Sequence, residues 1–117
     1  MKITAEITPI PLGRPRVNTT NRGRYLPKRS KDFKEELAQL VKLKRPKCSE
    51  KPLKVTLHFY KNVKATGKTY GDLDNLAKAV LDALNGILWQ DDSQIVELHA
   101  YKHKGAGKIE IEVLEID

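Results

Sequence analysis

Two short acidic segments and one lysine carry most of the chemistry available to this chain: Asp72-Leu73-Asp74-Asn75 with Lys78, and Trp89-Gln90-Asp91-Asp92-Ser93-Gln94. On an extended backbone, residues two apart point to the same side and the one between them points away. Asp72 and Asp74 can therefore share one cation while Leu73 turns into a core. Magnesium prefers hard oxygen ligands and keeps several waters, so two or three carboxylates plus a phosphate complete its octahedron. A third aspartate is available from the Asp91-Asp92 pair, whose neighbouring side chains point oppositely, one toward such a site and the other toward solvent or a turn amide. A plainer alternative stays open on the residues alone. Asp74 is a natural N-cap for a following helix, and adjacent aspartates are common in turns.

Lys78 favours the chemical alternative. It falls at i+4 from Asp74 and i−4 from Asp82, on the helix face opposite the leucines. A lysine early in a helix meets the positive end of the dipole, and lysine placed before aspartate is the weaker pair order. Stabilising charge on a phosphorane or a leaving oxygen gives it a better reason to be there. Calcium binding of the EF-hand type does not fit, because loop positions six and twelve would be Ala77 and Ala83 where glycine and glutamate are needed.

The charge distribution points to the partner. The 117 residues carry a net charge of +7, but residues 1–71 hold 18 basic against 5 acidic, and residues 72–97 hold 1 against 6. A basic chain predicts a polyanionic partner, and its acidic island would repel that partner unless a cation neutralised it. Seven of the basic residues, Arg14, Arg16, Arg22, Arg24, Lys28, Arg29 and Lys31, fall in a stretch without acids and rich in Gly, Pro and Asn, a basic arm suited to phosphates. The lone Cys48 excludes an intrachain disulfide and a multi-cysteine zinc site. His58, His99 and His103 lack zinc-ligand spacing, and Trp89 beside Ile87 and Leu88 reads as core. No apolar run approaches the roughly 20 residues of a membrane span, and the N-terminus alternates instead of reading as a signal peptide, so a cytoplasmic protein with no membrane contact is expected.

The elements that must position these residues are legible from periodicity. Ile3, Ala5 and Ile7 alternate as a strand ended by Pro9 and Pro11, and residues 13–31 read as a long loop or irregular hairpin. Ser30 is placed to cap a helix running to about Leu43 with Phe33, Leu37, Leu40 and Val41 on one stripe. Leu53, Val55, Leu57 and Phe59 form a second strand. Leu73, Leu76, Val80, Leu81 and Leu84 mark a second helix, stopped by Asn85 and Gly86. Strands at about 94–103 and 108–116 follow, joined through Gly105-Ala106-Gly107 as a hairpin turn. The order β-α-β-α-β-β predicts a single α+β domain over residues 1–117, a mixed sheet with two helices packed on it.

The run Gly71-Asp72-Leu73-Asp74-Asn75-Leu76-Ala77-Lys78, then Leu81-Asp82-Ala83-Leu84-Asn85-Gly86, then Trp89 to Gln94, strongly resembles the RusA family of Holliday junction resolvases. The looser match of Pro11–Arg16 and Asn21–Lys28 resembles its phage and prophage branch. Carried over, the resemblance implies an endodeoxyribonuclease of DNA recombination and repair. Asp72, Asp74 and Asp92 would bind magnesium or, alternatively, manganese, with Asp91 a less secure ligand, and Lys78 would act at the scissile phosphate. It also implies a homodimer that cuts a four-way DNA junction symmetrically. Two other functions remain as alternatives at this point, a non-catalytic junction-binding protein and a small-molecule phosphohydrolase on the same metal site.

Overall fold

A computed structural model describes residues 1–11, 16–17, 24–25 and 28–116, with 16–17 and 24–25 described by their backbone alone. Strand β1 (Lys2–Ala5) is followed by two short strands, β2 (Arg16–Val17) and β3 (Arg24–Tyr25), which pair antiparallel with each other. Helix α1 (Lys28–Lys42), strand β4 (Leu53–Lys61), helix α2 (Leu73–Ala83), and strands β5 (Ile95–Lys104) and β6 (Lys108–Glu115) complete the chain. The expected α+β architecture is present, a four-stranded mixed sheet and two helices.

Strand order is β1-β6-β4-β5, with β4 parallel to β5 and antiparallel to β6. This corrects the hairpin reading of residues 104–108, because β4 lies between β5 and β6. The Gly105–Gly107 link crosses the end of β4 instead of turning back on itself, and the Gly105 amide donates to the Lys61 carbonyl at 3.1 Å. Its glycines make the crossing possible. A Cβ on Gly107 would stand 2.7 Å from Thr8 Oγ1, and one on Gly105 would touch the Tyr60 ring. A parallel pair needs a long crossover between its strands, and α2 with its flanking loops supplies it.

Alternation in β4 sends Leu53, Val55, Leu57 and Phe59 to the helix side, all fully buried. They meet Phe33, Leu37 and Val41 of α1 and Leu76, Ala77 and Val80 of α2 in one core. Helix α1 starts earlier than a Ser30 cap would allow. Ser30 is buried within its first turn, at the head of the stripe that continues through Phe33, Leu37 and Val41, so burial claims the side chain expected to cap. Among the described residues no helix is long and apolar enough to cross a membrane.

Candidate active site

Asp72 is held from behind by a buried tyrosine. Tyr70 is fully buried, and its hydroxyl lies 2.7 Å from the His103 carbonyl and 2.8 Å from the Phe59 carbonyl while accepting the His103 amide at 3.3 Å. The ring is thus pinned across the far ends of the parallel strands β4 and β5. Burial raises the phenol above its ordinary pKa, and the hydrogen bond with His103 partly offsets that. Lys102 of β5 donates to the Gly71 carbonyl at 3.0 Å with its ammonium 5.1 Å from the Tyr70 ring centre, and Lys61 donates to the Thr69 carbonyl at 3.0 Å. Gly71 itself has φ +101°, and a Cβ there would lie 2.8 Å from Pro11 Cγ. The peptide before Asp72 is therefore gripped on the strand side and on the Pro11 side.

Helix α2 then presents the acidic pair. The N-cap position belongs to Asp72 and not to Asp74, as the sequence reading had it. Asp72 is extended, at φ −74° and ψ 139°, and its carboxylate makes no capping hydrogen bond. Asp74 lies in the first turn, where the helix dipole favours a carboxylate. Both are exposed, with half-buried Leu73 between them, and Lys78 is exposed one turn further on. Among the described residues none of the three has a side-chain hydrogen bond or ion-pair partner. Asp82, by contrast, is half-buried and paired with Lys34 of α1 at 3.4 Å, which ties the two helices together.

The second acidic segment is built as a staple around Gln94. After α2, Trp89 is fully buried with its indole N–H donating to Asn85 Oδ1 at 2.8 Å, as its core reading required. Gln94 Oε1 accepts the amides of Gln90 and Asp91 at 2.8 and 3.0 Å, and its Nε2 donates to the Ser49 and Lys51 carbonyls at 3.0 Å each. Asp91 caps the short 3-10 helix Asp92–Gln94 by accepting the Ser93 amide at 3.0 Å. Hydrogen bonding from Ser93 holds the Asp91 carboxyl below its ordinary pKa. Asp91 is thus occupied by a turn amide. Asp92 is half-buried with no side-chain partner among the described residues.

These two segments sit at opposite ends of α2. Tyr70 anchors Asp72 where β4 and β5 end, whereas Gln94 anchors Asp91 and Asp92 beside Ser49 and Lys51, where β4 begins. Eleven helical residues separate the ends by about 16 Å at 1.5 Å per residue. Among the described residues no group of three or more His, Cys, Asp or Glu side chains is close enough to hold one ion. The protomer brings Asp72, Asp74 and Lys78 together and sets Asp91 and Asp92 apart.

Pro11, just before the basic arm, lies against Gly71. At the end of the arm Lys28, Arg29 and Lys31 occupy the exposed first turn of α1. Arg29 is near enough to Lys61 that its charge, after burial, helps to lower the Lys61 pKa. Arg14 and Arg22 lie outside the described residues, as do the side chains of Arg16 and Arg24. Sequence reasoning missed Tyr70, Lys102 and the Gly71–Pro11 contact, for which Gly71 directly before the acidic motif was the one available signal. It also missed that parallel pairing brings His58 Nδ1 within 2.9 Å of His103 Nε2 on the open sheet face, in a stack with Tyr60 and Tyr101.

The family model for endodeoxyribonuclease RusA matches residues 6–114, from just after β1 to near the end of β6. The chain belongs to the RusA endodeoxyribonuclease family. It is also 29% identical over 137 residues to YqaN, an uncharacterized protein of Bacillus subtilis (strain 168), an alignment covering 99% of this chain and 96% of that one. The RusA match spans both acidic segments, both helices and nearly the whole chain. Membership of this family implies an enzyme that hydrolyses DNA within the strand.

Proposed function

We propose that the protein resolves four-way DNA junctions by magnesium-dependent hydrolysis, cutting two strands symmetrically as a homodimer in recombination and repair. The observation that carries this reading is the pair Asp72 and Asp74, exposed at the start of α2 and, among the described residues, without cap or ion-pair duty, in a chain that is otherwise strongly basic. The donor set fits magnesium: two unengaged carboxylates are hard oxygen ligands, and substrate phosphate and water can fill the remaining positions. When bound, the metal would polarise the phosphate and lower the pKa of an attacking water. Manganese satisfies the same ligands. Lys78, one turn along, supports the negative charge that develops on phosphate oxygens. The arm from Arg14 to Lys31 holds the DNA backbone, and Pro11 just before it packs on Gly71, next to Asp72. Rigid presentation by Tyr70 and Lys102 keeps the carboxylates positioned before substrate arrives.

Asp92 belongs to the same centre in this reading, supplied by the second protomer. Asp92 follows the far end of α2 from Asp72, and a two-fold dimer offers two equal centres to a substrate with two equivalent strands. The test uses a labelled synthetic four-way junction and a matched duplex, each with magnesium or EDTA, on denaturing gels. Paired symmetric cuts on the junction alone, dependent on magnesium, are expected, and Asp74→Asn should abolish them while sparing junction binding. Metal-dependent cutting retained by Asp74→Asn would sink the assignment.

A further inference from the structure

Four cations from three elements meet where β4 and β5 end. Alternation puts Lys61 on the same face as buried Phe59, and Phe59 and Lys61 are the register partners of Lys102 and Lys104 on β5. Lys61, Lys102 and Lys104 therefore leave one face of the sheet side by side, on strands about 4.8 Å apart. Arg29, in the first turn of α1, is close enough for its charge to act on Lys61. Among the described residues none of the four has a carboxylate partner. Elsewhere Lys2, Lys34, Lys54 and Lys108 each face an aspartate or glutamate within 4 Å, so the fold pairs its lysines where it has acids to offer.

Folding alone gives no reason for this gathering. Lys61 and Lys102 do hold the turn before Asp72, through the Thr69 and Gly71 carbonyls. One proton of each ammonium is enough for that, and two remain on each. Lys104 and Arg29 have no side-chain partner among the described residues and add only repulsion, since like charges set side by side are destabilising. Its mark is on Lys61, whose pKa is lowered first by burial and then by the Arg29 charge. Such a cluster is stabilised by an anion supplied from outside.

We propose that Arg29, Lys61, Lys102 and Lys104 form a site for one phosphodiester of the DNA backbone, the neighbour of the phosphate that is cut. The Gly71 carbonyl gripped by Lys102 belongs to the peptide that leads into Asp72, so a strand with its reacting phosphate at Asp72 and Asp74 passes an adjacent phosphate to these cations. Lysines act there as point charges with free donors, and arginine adds a planar fork for phosphate oxygens. The position of the cut rests on the nuclease reading above, whereas the anion site rests on the cations themselves. A phosphate that does not react is held equally in substrate and transition state. Losing the site therefore raises the half-saturating concentration and leaves the rate at saturation unchanged.

Lys104→Gln is the cleanest variant, because this exposed side chain has no other duty among the described residues. It relieves the repulsion with Lys61, so melting should stay equal or rise. Affinity for a synthetic four-way junction, measured in EDTA across a salt series, should fall even so. The slope of log affinity against log salt should drop by about 1, which is about tenfold in affinity at 0.1 M salt. Lys104→Arg should restore both. Lys44→Gln, an exposed lysine beyond the far end of α1, removes the same charge and should leave the slope unchanged. In single-turnover cutting with magnesium, Lys104→Gln should raise the half-saturating protein concentration about tenfold with the plateau rate within about twofold. An unchanged slope for Lys104→Gln, or an equal drop for Lys44→Gln, overturns the site. A lowered plateau at unchanged half-saturation overturns the assignment to a non-reacting phosphate. Cutting by the wild-type protein is scored separately: cutting with an unchanged slope in Lys104→Gln rejects the site and keeps the nuclease. A lowered slope with no cutting by wild type keeps the site and rejects the nuclease, and absence of junction binding by wild type rejects both.

Discussion

Replacing Gly71 by alanine tests how the acidic pair is held. At φ +101° an L side chain meets its own backbone, which costs about 1–2 kcal/mol. The new methyl would also stand 2.8 Å from Pro11 Cγ and 3.1 Å from Pro11 Cβ and Cδ, all on a rigid ring, and overpacking of this kind costs about 1–3 kcal/mol. Together the two effects amount to about 2–5 kcal/mol. With an unfolding entropy of about 2.1 cal/mol/K per residue, a chain of this length loses about 4 °C for each kcal/mol, so Gly71→Ala should melt about 8–20 °C lower. Trp89, the sole tryptophan and fully buried, makes fluorescence melting a direct readout. Pro11→Gly alone should cost less than about 1 kcal/mol, through the freedom it adds to the unfolded chain. Added to Gly71→Ala it should recover the overpacking part but not the backbone part, giving a coupling of about 1–3 kcal/mol in a double-mutant cycle. Junction cutting should fall further than junction binding, because Asp72 is the next residue. A melting temperature within about 2 °C of wild type would refute the backbone argument, and additive effects of the two substitutions would refute the Pro11 contact.

Other consequences are as direct. Asp92→Asn should weaken magnesium binding measured by calorimetry and abolish junction cutting while leaving the melting temperature within a few degrees, since Asp92 has no side-chain partner among the described residues; unchanged metal affinity would remove it from the site. Replacing Lys28, Arg29 and Lys31 by alanine should reduce the slope of log affinity for DNA against log salt by about 2–3, at about 0.9 per phosphate contact, and an unchanged slope would take the start of α1 off the DNA. Asp91 has a lowered pKa when folded, so the stability it contributes is present above the unfolded value of about 3.9 and is lost as pH falls through the lower folded value. Asp91→Asn should therefore show a flatter acid limb below about pH 4 in melting temperature against pH, and identical limbs would mean that the Ser93 hydrogen bond contributes nothing.

Much of this protein is legible from residue order. Alternation in Leu53–Tyr60 and the apolar stripe of Leu73–Leu84 report burial directly, because each element must turn one face to a core. The spacing of Asp72, Asp74 and Lys78 is local to the N-cap and first two turns of one helix, so its geometry follows from the chain itself, and the charge imbalance is read from composition alone. Which aspartate stands at the N-cap position of α2 is less legible, since both residues suit it and only the backbone angles at Asp72 decide it.

What lies between elements was closed to the sequence. Gly105 and Gly107 suit a hairpin turn as well as a crossing over β4, and the choice depends on β4 pairing with both neighbours at once. Tyr70, His103 and Lys102 become the seat of Asp72 only because parallel pairing aligns the end of β4 with the end of β5. The same topology, with α2 running back along the sheet, carries Asp92 away from Asp72 although the segments look like one cluster in sequence. Periodicity records which face of an element is buried, and so it determined the elements and the acidic motif. It carries no record of which element lies beside which, and tertiary structure alone decided what holds the motif and what stands apart from it.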